Sequence, residues 1–197
     1  MSSRDLSALL GSRICHDLIS PLGAIGNGIE LLAMSGMPQS PELDLITQSV
    51  ENANSRIRFF RIAFGAATEG QTIGSSEVTN VLDDLSRTGR VRYDWRPKGD
   101  LSRPMVKLAL LVIQCLESAM PRGGRVSVSA SNLEWTVRGS ADRLNVDPAL
   151  WSLVVAPEGI AEVNPSDVHF PLVAPAARAA DRTLVTEIGD HEIVARF

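Results

Sequence analysis

The first third of the chain places apolar residues at alternating steps of three and four. In one segment these residues are Cys15, Leu18, Leu22, Ile25, Ile29 and Leu32. In a second segment they are Leu43, Ile46, Val50, Ala53, Ile57, Phe60 and Phe64. This heptad spacing is typical of helices that pack side by side at a shallow angle.

Capping signals set the ends of these two helices. The first helix runs from a cap at Ser2-Ser3 to about Met34, and the second, capped by Ser40-Pro41, runs from about Glu42 to Ala67. The short connector predicts an antiparallel hairpin. Because two helices cannot enclose such long apolar seams, we expect a second copy to complete a four-helix bundle, which makes the protein a homodimer.

After the second helix the pattern changes to strand and helix signals. Residues 67–76 are small and polar, which predicts a linker, and the proline-bearing stretch 157–175 predicts loops. The predicted strands are 91–96, 125–131 and 133–138, the helices are 104–120 and 148–156, and 182–197 is a hairpin around Gly189-Asp190. Without regular βαβ alternation, this order predicts an α+β sandwich. The predicted domains are therefore 1–70 and 71–197.

Composition narrows the classes of function. The formal net charge of −4 and the low count of aromatic residues argue against binding to nucleic acid. Cys15 and Cys115 match no zinc spacing, so we expect no metal site. No segment has the length of a membrane span or the order of a secretory signal, so we expect a cytoplasmic protein that binds no membrane.

His16 is the candidate reactive residue. It follows Cys15, a seam position, and therefore turns about 100° away from the seam towards solvent. The carboxylate of Asp17 can hold one ring nitrogen as N–H and leave the other as a neutral nucleophile. Pro21 lies five residues further along the same helix. Proline in a helix interior costs about 3 kcal/mol of helix stability, so its presence calls for a compensating reason. An ordinary surface histidine on a helix that tolerates a bend is the alternative.

The face that carries His16 is made of small groups. Stepping along it gives Ser12, His16, Ser20, Gly23 and Asn27. Glycines cost about 1 kcal/mol each in a helix interior, so this face is typical of a docking strip for a partner's helix. Close approach of bundle helices is the alternative for Gly26 and Gly28.

The segment His16-Asp17-Leu18-Ile19-Ser20-Pro21-Leu22 resembles the H-box of sensor histidine kinases. Together with RFFRIAFGAA (58–67) on the second helix, it resembles the ChpT-type histidine phosphotransferases of alphaproteobacteria, most strongly over residues 4–67. The resemblance implies that His16 accepts a phosphoryl group from a receiver-domain aspartate of a hybrid histidine kinase. His16 then passes the group to an aspartate of a response regulator.

The resemblance also implies roles for the neighbours of His16. Asp17 orients the imidazole and assists as base. Ser20 either forms a hydrogen bond near the transferred group or caps the helix break before Pro21. Arg13 pairs with receiver acids or phosphate oxygens, or is simply solvated. Arg56, Arg58 and Arg61 on the second helix are candidates for similar contacts, but a basic helix surface is the favoured interpretation. The Mg²⁺ for transfer is expected in the partner receiver, and no cofactor is expected in this chain.

The second domain resembles a histidine-kinase ATP-binding domain that has lost its nucleotide site. In the helix at 104–120, Gln114 and Ser118 stand where such kinases keep asparagines, and no Asp-x-Gly-x-Gly box or Walker A pattern follows. An unrelated α+β domain is the alternative. For the whole protein the alternatives are an active ATP-dependent histidine kinase and a non-catalytic dimeric scaffold for receiver domains.

Overall fold

A computed structural model describes residues 6–36, 38, 40–131, 134–156 and 163–197. It begins with helices α1 (Leu6–Met34) and α2 (Pro41–Ala63). A Cβ placed on Gly11 would lie 3.4 Å from the Phe64 Cβ, and one placed on Gly26 would lie 3.9 Å from Val50 Cγ1. These contacts confirm that the two helices form an antiparallel hairpin.

The connection between the helices follows the predicted caps. Gly36 has a φ of +82°, a left-handed conformation that ends α1 at little cost. The Leu43 N–H donates to Ser40 Oγ at 3.3 Å, and Pro41 occupies the first turn of α2. The predicted cap at Ser2-Ser3 lies outside the described residues.

Helix α2 ends at Ala63, four residues before the predicted end at Ala67. The Phe64 N–H makes the last helical bond, to the carbonyl of Phe60. A Cβ on Gly65 would overlap the carbonyl oxygen of Arg61, so the chain leaves the helix through a position that only glycine fits.

The rest of the chain forms two sheets with helices. The elements are β1 (Thr72–Gly74), α3 (Ser75–Thr88), β2 (Val91–Trp95), β3 (Asp100–Ser102), α4 (Arg103–Ala119), β4 (Gly124–Ala130), β5 (Trp135–Ser140), α5 (Pro148–Val155), a 3₁₀ turn (Pro165–Asp167), α6 (His169–Ala179), β6 (Val185–Ile188) and β7 (Glu192–Arg196). Strands β1 and β3 form an antiparallel pair. The larger sheet has the order β2-β4-β5-β7-β6, in which only β2 and β4 pair in parallel.

Helix α4 lies at the centre of the core, because twelve of its seventeen residues are buried. It crosses from β2 to β4, as a parallel pair requires, and packs on the sheet and on α6. A Cβ on Gly139 of β5 would lie 2.9 Å from Leu116, so the helix sits close to the strand there. The α+β class, the helix at 104–120 and the C-terminal hairpin are confirmed.

One prediction for this part is wrong, and the extent of two others is corrected. The linker at 67–76 contains β1 and the start of α3, and α3 itself was not predicted. The stretch 157–175, which is predicted to contain loops, also contains the first part of α6, since this helix begins at His169 and its apolar side is buried in the core. Strand β5 runs from Trp135 to Ser140 rather than over 133–138; its predicted first residue, Leu133, lies outside the described residues.

The hairpin and the second part share one core. Phe59, Ile62 and Ala63 of α2 are fully or almost fully buried and belong to the same apolar cluster as Val78 and Leu82 of α3. The hairpin is therefore packed against α3 and α4, with His16 on the free side of α1. Among the described residues, no helix combines the length and apolarity needed to cross a membrane.

Candidate functional site

His16 lies in the first half of α1 and projects into solvent. Its side chain is 81% exposed, whereas the preceding residue, Cys15, is buried against α2. This is the arrangement predicted from the turn of about 100° between successive helical residues. The imidazole is therefore accessible to a second protein without movement of the hairpin.

Two neighbours hold the His16 ring through one carboxylate. His16 Nδ1 lies 3.1 Å from Asp17 Oδ1, and Arg13 Nε donates to Asp17 Oδ2 at 2.8 Å. The hydrogen bond from His16, with the nearby Arg13 guanidinium, lowers the pKa of the Asp17 carboxyl. Asp17 thus stays ionised and favours the tautomer with the proton on Nδ1. In that tautomer, Nε2 carries the lone pair.

This geometry suits nucleophilic attack by Nε2. No described residue hydrogen-bonds Nε2, and a ring held at Nδ1 is pre-oriented for an incoming electrophile. As a bond forms at Nε2, positive charge develops on the ring, and the Asp17 carboxylate stabilises it. The arrangement can therefore accept a group such as a phosphoryl on Nε2.

The other predicted site residues lie around His16 on the same helix. Ser20, Pro21 and Asn27 are exposed, and Ser12 and Gly23 are partly exposed. Nothing lies within 4 Å of a Cβ built on Gly23 or Gly28, so within this chain neither glycine is needed for close helix packing. Gly26, by contrast, faces Val50 of α2. A docking role for these residues stays a prediction.

The three arginines of α2 do not form a simple solvated surface. Each pairs with a carboxylate of the second part of the chain: Arg56 Nη1 with Glu117 Oε2 at 2.9 Å, Arg58 with Asp84, and Arg61 Nη2 with Glu77 Oε1 at 3.2 Å. The interpretation of these arginines as a basic helix surface is therefore wrong, because each of them is paired within the chain. These pairs attach the hairpin to α3 and α4.

Two further cations hold the C-terminal end of α2. Arg103 Nη2 donates to the carbonyl of Arg61 at 3.1 Å, and Lys107 Nζ donates to the carbonyl of Gly65 at 2.9 Å. Positive charge at this end of a helix is favourable because the last carbonyls lack helical partners. Sequence reasoning missed both residues, since nothing local relates the start of α4 to the end of α2.

Ser118, one of the two positions that the resemblance aligns with kinase asparagines, is hydrogen-bonded within the chain. Ser118 Oγ lies 3.2 Å from the Gln114 carbonyl and 3.1 Å from Nε2 of His169 on α6. His169 is buried, and its ring stacks on Phe170 with centroids 4.6 Å apart. Burial lowers the pKa of His169, so the ring is neutral at this contact.

No cluster of three or more metal-ligating side chains is found in the part of the chain that the structure describes. The candidate site is therefore an exposed histidine with its orienting carboxylate, on a helix that partner proteins can reach.

Comparison with known proteins gives concordant results. Residues 75–192 match the family model described as the histidine phosphotransferase C-terminal domain. The chain is 37% identical over 175 residues to the protein phosphotransferase ChpT of Brucella abortus (strain 2308), with 86% of this chain and 82% of that protein covered.

A solved structure of a phosphotransferase agrees with this relationship. A bacterial phosphotransferase structure matches with a TM-score of 0.70 and 30% identity, covering 100% of this chain and 97% of the other. The histidine kinase domain of the Erythrobacter litoralis EL346 blue-light activated histidine kinase matches with a TM-score of 0.46 and 10% identity, covering 92% and 93% of the two chains. The family model, the curated relative and the phosphotransferase structure together show that this chain belongs to the ChpT-type histidine phosphotransferases.

Proposed function

We propose that His16 carries the phosphoryl group in an Asp–His–Asp phosphorelay. The observation that carries this proposal is the Arg13–Asp17–His16 arrangement, in which an exposed imidazole is held at Nδ1 by an ionised carboxylate. In the described part of the chain, the two other histidines are less suited: His169 is buried, and His191 Nδ1 lies 2.9 Å from the Asp142 carbonyl.

The reaction balances without any other reactant. The Nε2 lone pair attacks the phosphorus of an aspartyl phosphate, the N–P bond forms, and the P–O bond electrons leave with the donor's carboxylate. The proton stays on Nδ1, where Asp17 stabilises the charged ring. Phosphoryl transfer depends mainly on positioning and on neutralising oxygen charge. The reverse sequence then delivers the group to an acceptor aspartate.

The donor and acceptor in this proposal are receiver domains. The donor is a receiver of a hybrid histidine kinase, and the acceptor belongs to a response regulator; the Mg²⁺ that neutralises phosphoryl oxygens sits in the receiver. Ser20 and Asn27 are exposed and Gly23 is partly exposed, which leaves space beside His16 for a partner's helix. The name of the Brucella relative, a protein phosphotransferase, supports a protein substrate.

Transfer in this proposal needs no ATP. Ser118, at the position where the resembling kinases hold their magnesium-binding asparagine, is hydrogen-bonded to His169 of α6, which supports this proposal. In this proposal the phosphoryl group arrives on a partner protein.

We further propose that the active form is a homodimer. Ile14, Leu18, Ile25 and Leu32 form a stripe along α1, on the side away from His16, and each is between 42% and 50% exposed. Long exposed apolar stripes with heptad spacing are covered by a second helix. A second hairpin would complete a four-helix bundle and leave both copies of His16 accessible.

The test is a transfer assay. A receiver domain carrying labelled aspartyl phosphate is mixed with the wild-type chain or with His16→Ala, and a parallel sample holds the wild type with labelled ATP alone. Label should move from the receiver to the wild type only, and the ATP sample should stay unlabelled. Labelled His16→Ala contradicts the assignment, label from ATP supports an active kinase, and receiver binding without labelling supports a scaffold.

A further inference from the structure

Two short rows of residues run along neighbouring edges of the two hairpin helices. The row on α1 is Ser12, His16 and Ile19, and the row on α2 is Gly65, Arg61 and Arg58. Within each row the members are three or four residues apart, so they share one helix face. The rows meet at one end, where Ser12 Oγ lies 3.3 Å from a Cβ placed on Gly65. At the other end, Ile19 and Arg58 line the same groove of about 490 Å³.

The helices are antiparallel, and the two rows come near each other at both ends. The middle members, His16 and Arg61, therefore lie at the same height along the hairpin axis. The electrostatics of Cys15, the residue before His16, agree with this placement. Burial raises the pKa of the Cys15 thiol, and the charge of Arg61 opposes that rise. The Arg61 guanidinium therefore lies close to the α1 backbone that carries His16.

Arg61 is also the arginine of α2 that is least firmly held by its carboxylate. Its partner Glu77 is 49% exposed, as is Arg61 itself, and the two atoms are 3.2 Å apart. The acids that hold the other two arginines are more buried: Glu117 is 15% exposed and Asp84 is 21% exposed. Exposed ion pairs are weak because water competes with them, so Arg61 can exchange its partner.

We propose that Arg61 leaves Glu77 and binds the phosphoryl group as it is transferred to His16, neutralising charge on the phosphoryl oxygens. This inference rests on the proposed role of His16. In the step, the His16 Nε2–P bond forms and the P–O bond to the donor breaks, while Arg61 donates two N–H groups and neither gains nor loses a proton. Glu77 stays near the positive charge of Arg103, which compensates it when Arg61 moves away.

The test uses phosphoramidate, a small phosphoryl donor that needs no partner protein, with the full chain. Phosphohistidine formation is followed by ³¹P NMR and by mass spectrometry of the His16 peptide. Arg61→Gln should slow labelling by about tenfold or more, as loss of a donor to developing oxygen charge does. Arg61→Lys, which keeps the charge but loses the planar fork, should fall between Gln and wild type. Glu77→Gln should label at least as fast as wild type.

Arg56→Gln is the matched control. It breaks an ion pair of the same kind between α2 and the second part of the chain, with Glu117, but Arg56 lies off the His16 row. Its labelling rate should stay within about twofold of wild type, since no donor to the phosphoryl group is lost. Equal slowing in Arg56→Gln and Arg61→Gln would mean a general structural effect and would overturn the assignment.

The outcomes separate the two proposals. If the wild type is labelled on His16 and Arg61→Gln is labelled equally fast, the role of Arg61 is wrong while that of His16 stands. If the wild type is not labelled, or if His16→Ala is labelled as well as wild type, the role of His16 fails and that of Arg61 fails with it.

Discussion

Ser118 Oγ and His169 Nε2 lie 3.1 Å apart and join the C-terminal end of α4 to the start of α6. The contact is buried on the His169 side, where the ring stacks on Phe170. A buried imidazole that keeps a hydrogen-bond partner avoids the cost of an unsatisfied polar group. The contact therefore links α6 to α4 through Ser118.

The first prediction concerns ATP. Because Ser118 is engaged by His169, the wild-type chain should neither bind an ATP analogue with Mg²⁺ nor become labelled by ATP. Isothermal titration calorimetry with a non-hydrolysable analogue checks binding, and a labelled-ATP incubation checks transfer. Saturable, Mg²⁺-dependent binding would contradict this prediction.

The second prediction concerns pH and stability. Burial lowers the pKa of His169 in the folded protein, although the charge of Asp167 opposes the shift. Below about pH 6.5 the unfolded chain therefore binds more protons at this residue than the folded chain does. The free energy of unfolding should fall as the pH is lowered through this range, by at most about 1.4 kcal/mol per pH unit from this group.

Urea unfolding at about pH 7.5 and about pH 5.5 measures this effect, with His169→Gln as the comparison. Glutamine keeps a polar partner for Ser118 but does not titrate, so the variant should lose less stability on acidification than the wild type. Carboxylates elsewhere contribute equally to both proteins and cancel in the difference. Equal losses of unfolding free energy in the wild type and in His169→Gln would show that His169 does not titrate in this range.

The third prediction concerns Asp17, which joins Arg13 to His16. Asp17→Asn should fold normally, because the side chain is exposed, but should slow phosphoryl transfer by about 10²-fold since the ring loses its anionic partner. Initial rates of label transfer from a phosphorylated receiver measure the effect. Glu30→Gln, an exposed acid further along α1, is the control and should transfer at the wild-type rate.

The fourth prediction concerns the oligomeric state. The wild type should be a dimer by light scattering coupled to size-exclusion chromatography, and Ile25→Glu should shift it towards the monomer, since the substitution places a charge in the apolar stripe. Leu31→Glu is the matched control: Leu31 is 65% exposed but lies off the stripe, so the variant should stay dimeric. A monomeric wild type, or equal effects of the two substitutions, would contradict the proposed dimer.

Much of the fold could be predicted from local pattern. The hairpin follows from heptad spacing and from the cap at Ser40-Pro41, both of which act within a few residues. Helix α3 also has a local signal, since Val78, Val81, Leu82 and Leu85 recur at helical spacing and are all buried. The small polar stretch 67–76 overlaps the start of α3 and is typical of a linker, so the helix is not predicted there.

Helix α6 is different, because Pro175 lies inside it and removes a backbone hydrogen bond. Burial of Phe170, Val173 and Ala177 outweighs that loss.

The sequence by itself determined that His16 is exposed and next to a carboxylate, because helical geometry relates neighbouring residues directly. Only the tertiary structure decided which acid each α2 arginine meets. Arg56 pairs with a carboxylate 61 positions away, and Arg58 with one 26 positions away. The contact of Ser118 with His169 spans 51 positions. Such pairs depend on how α3, α4 and α6 pack against the sheet and the hairpin. Burial of apolar surface drives that packing. Because this effect is non-directional, the sequence does not specify which residues it brings together.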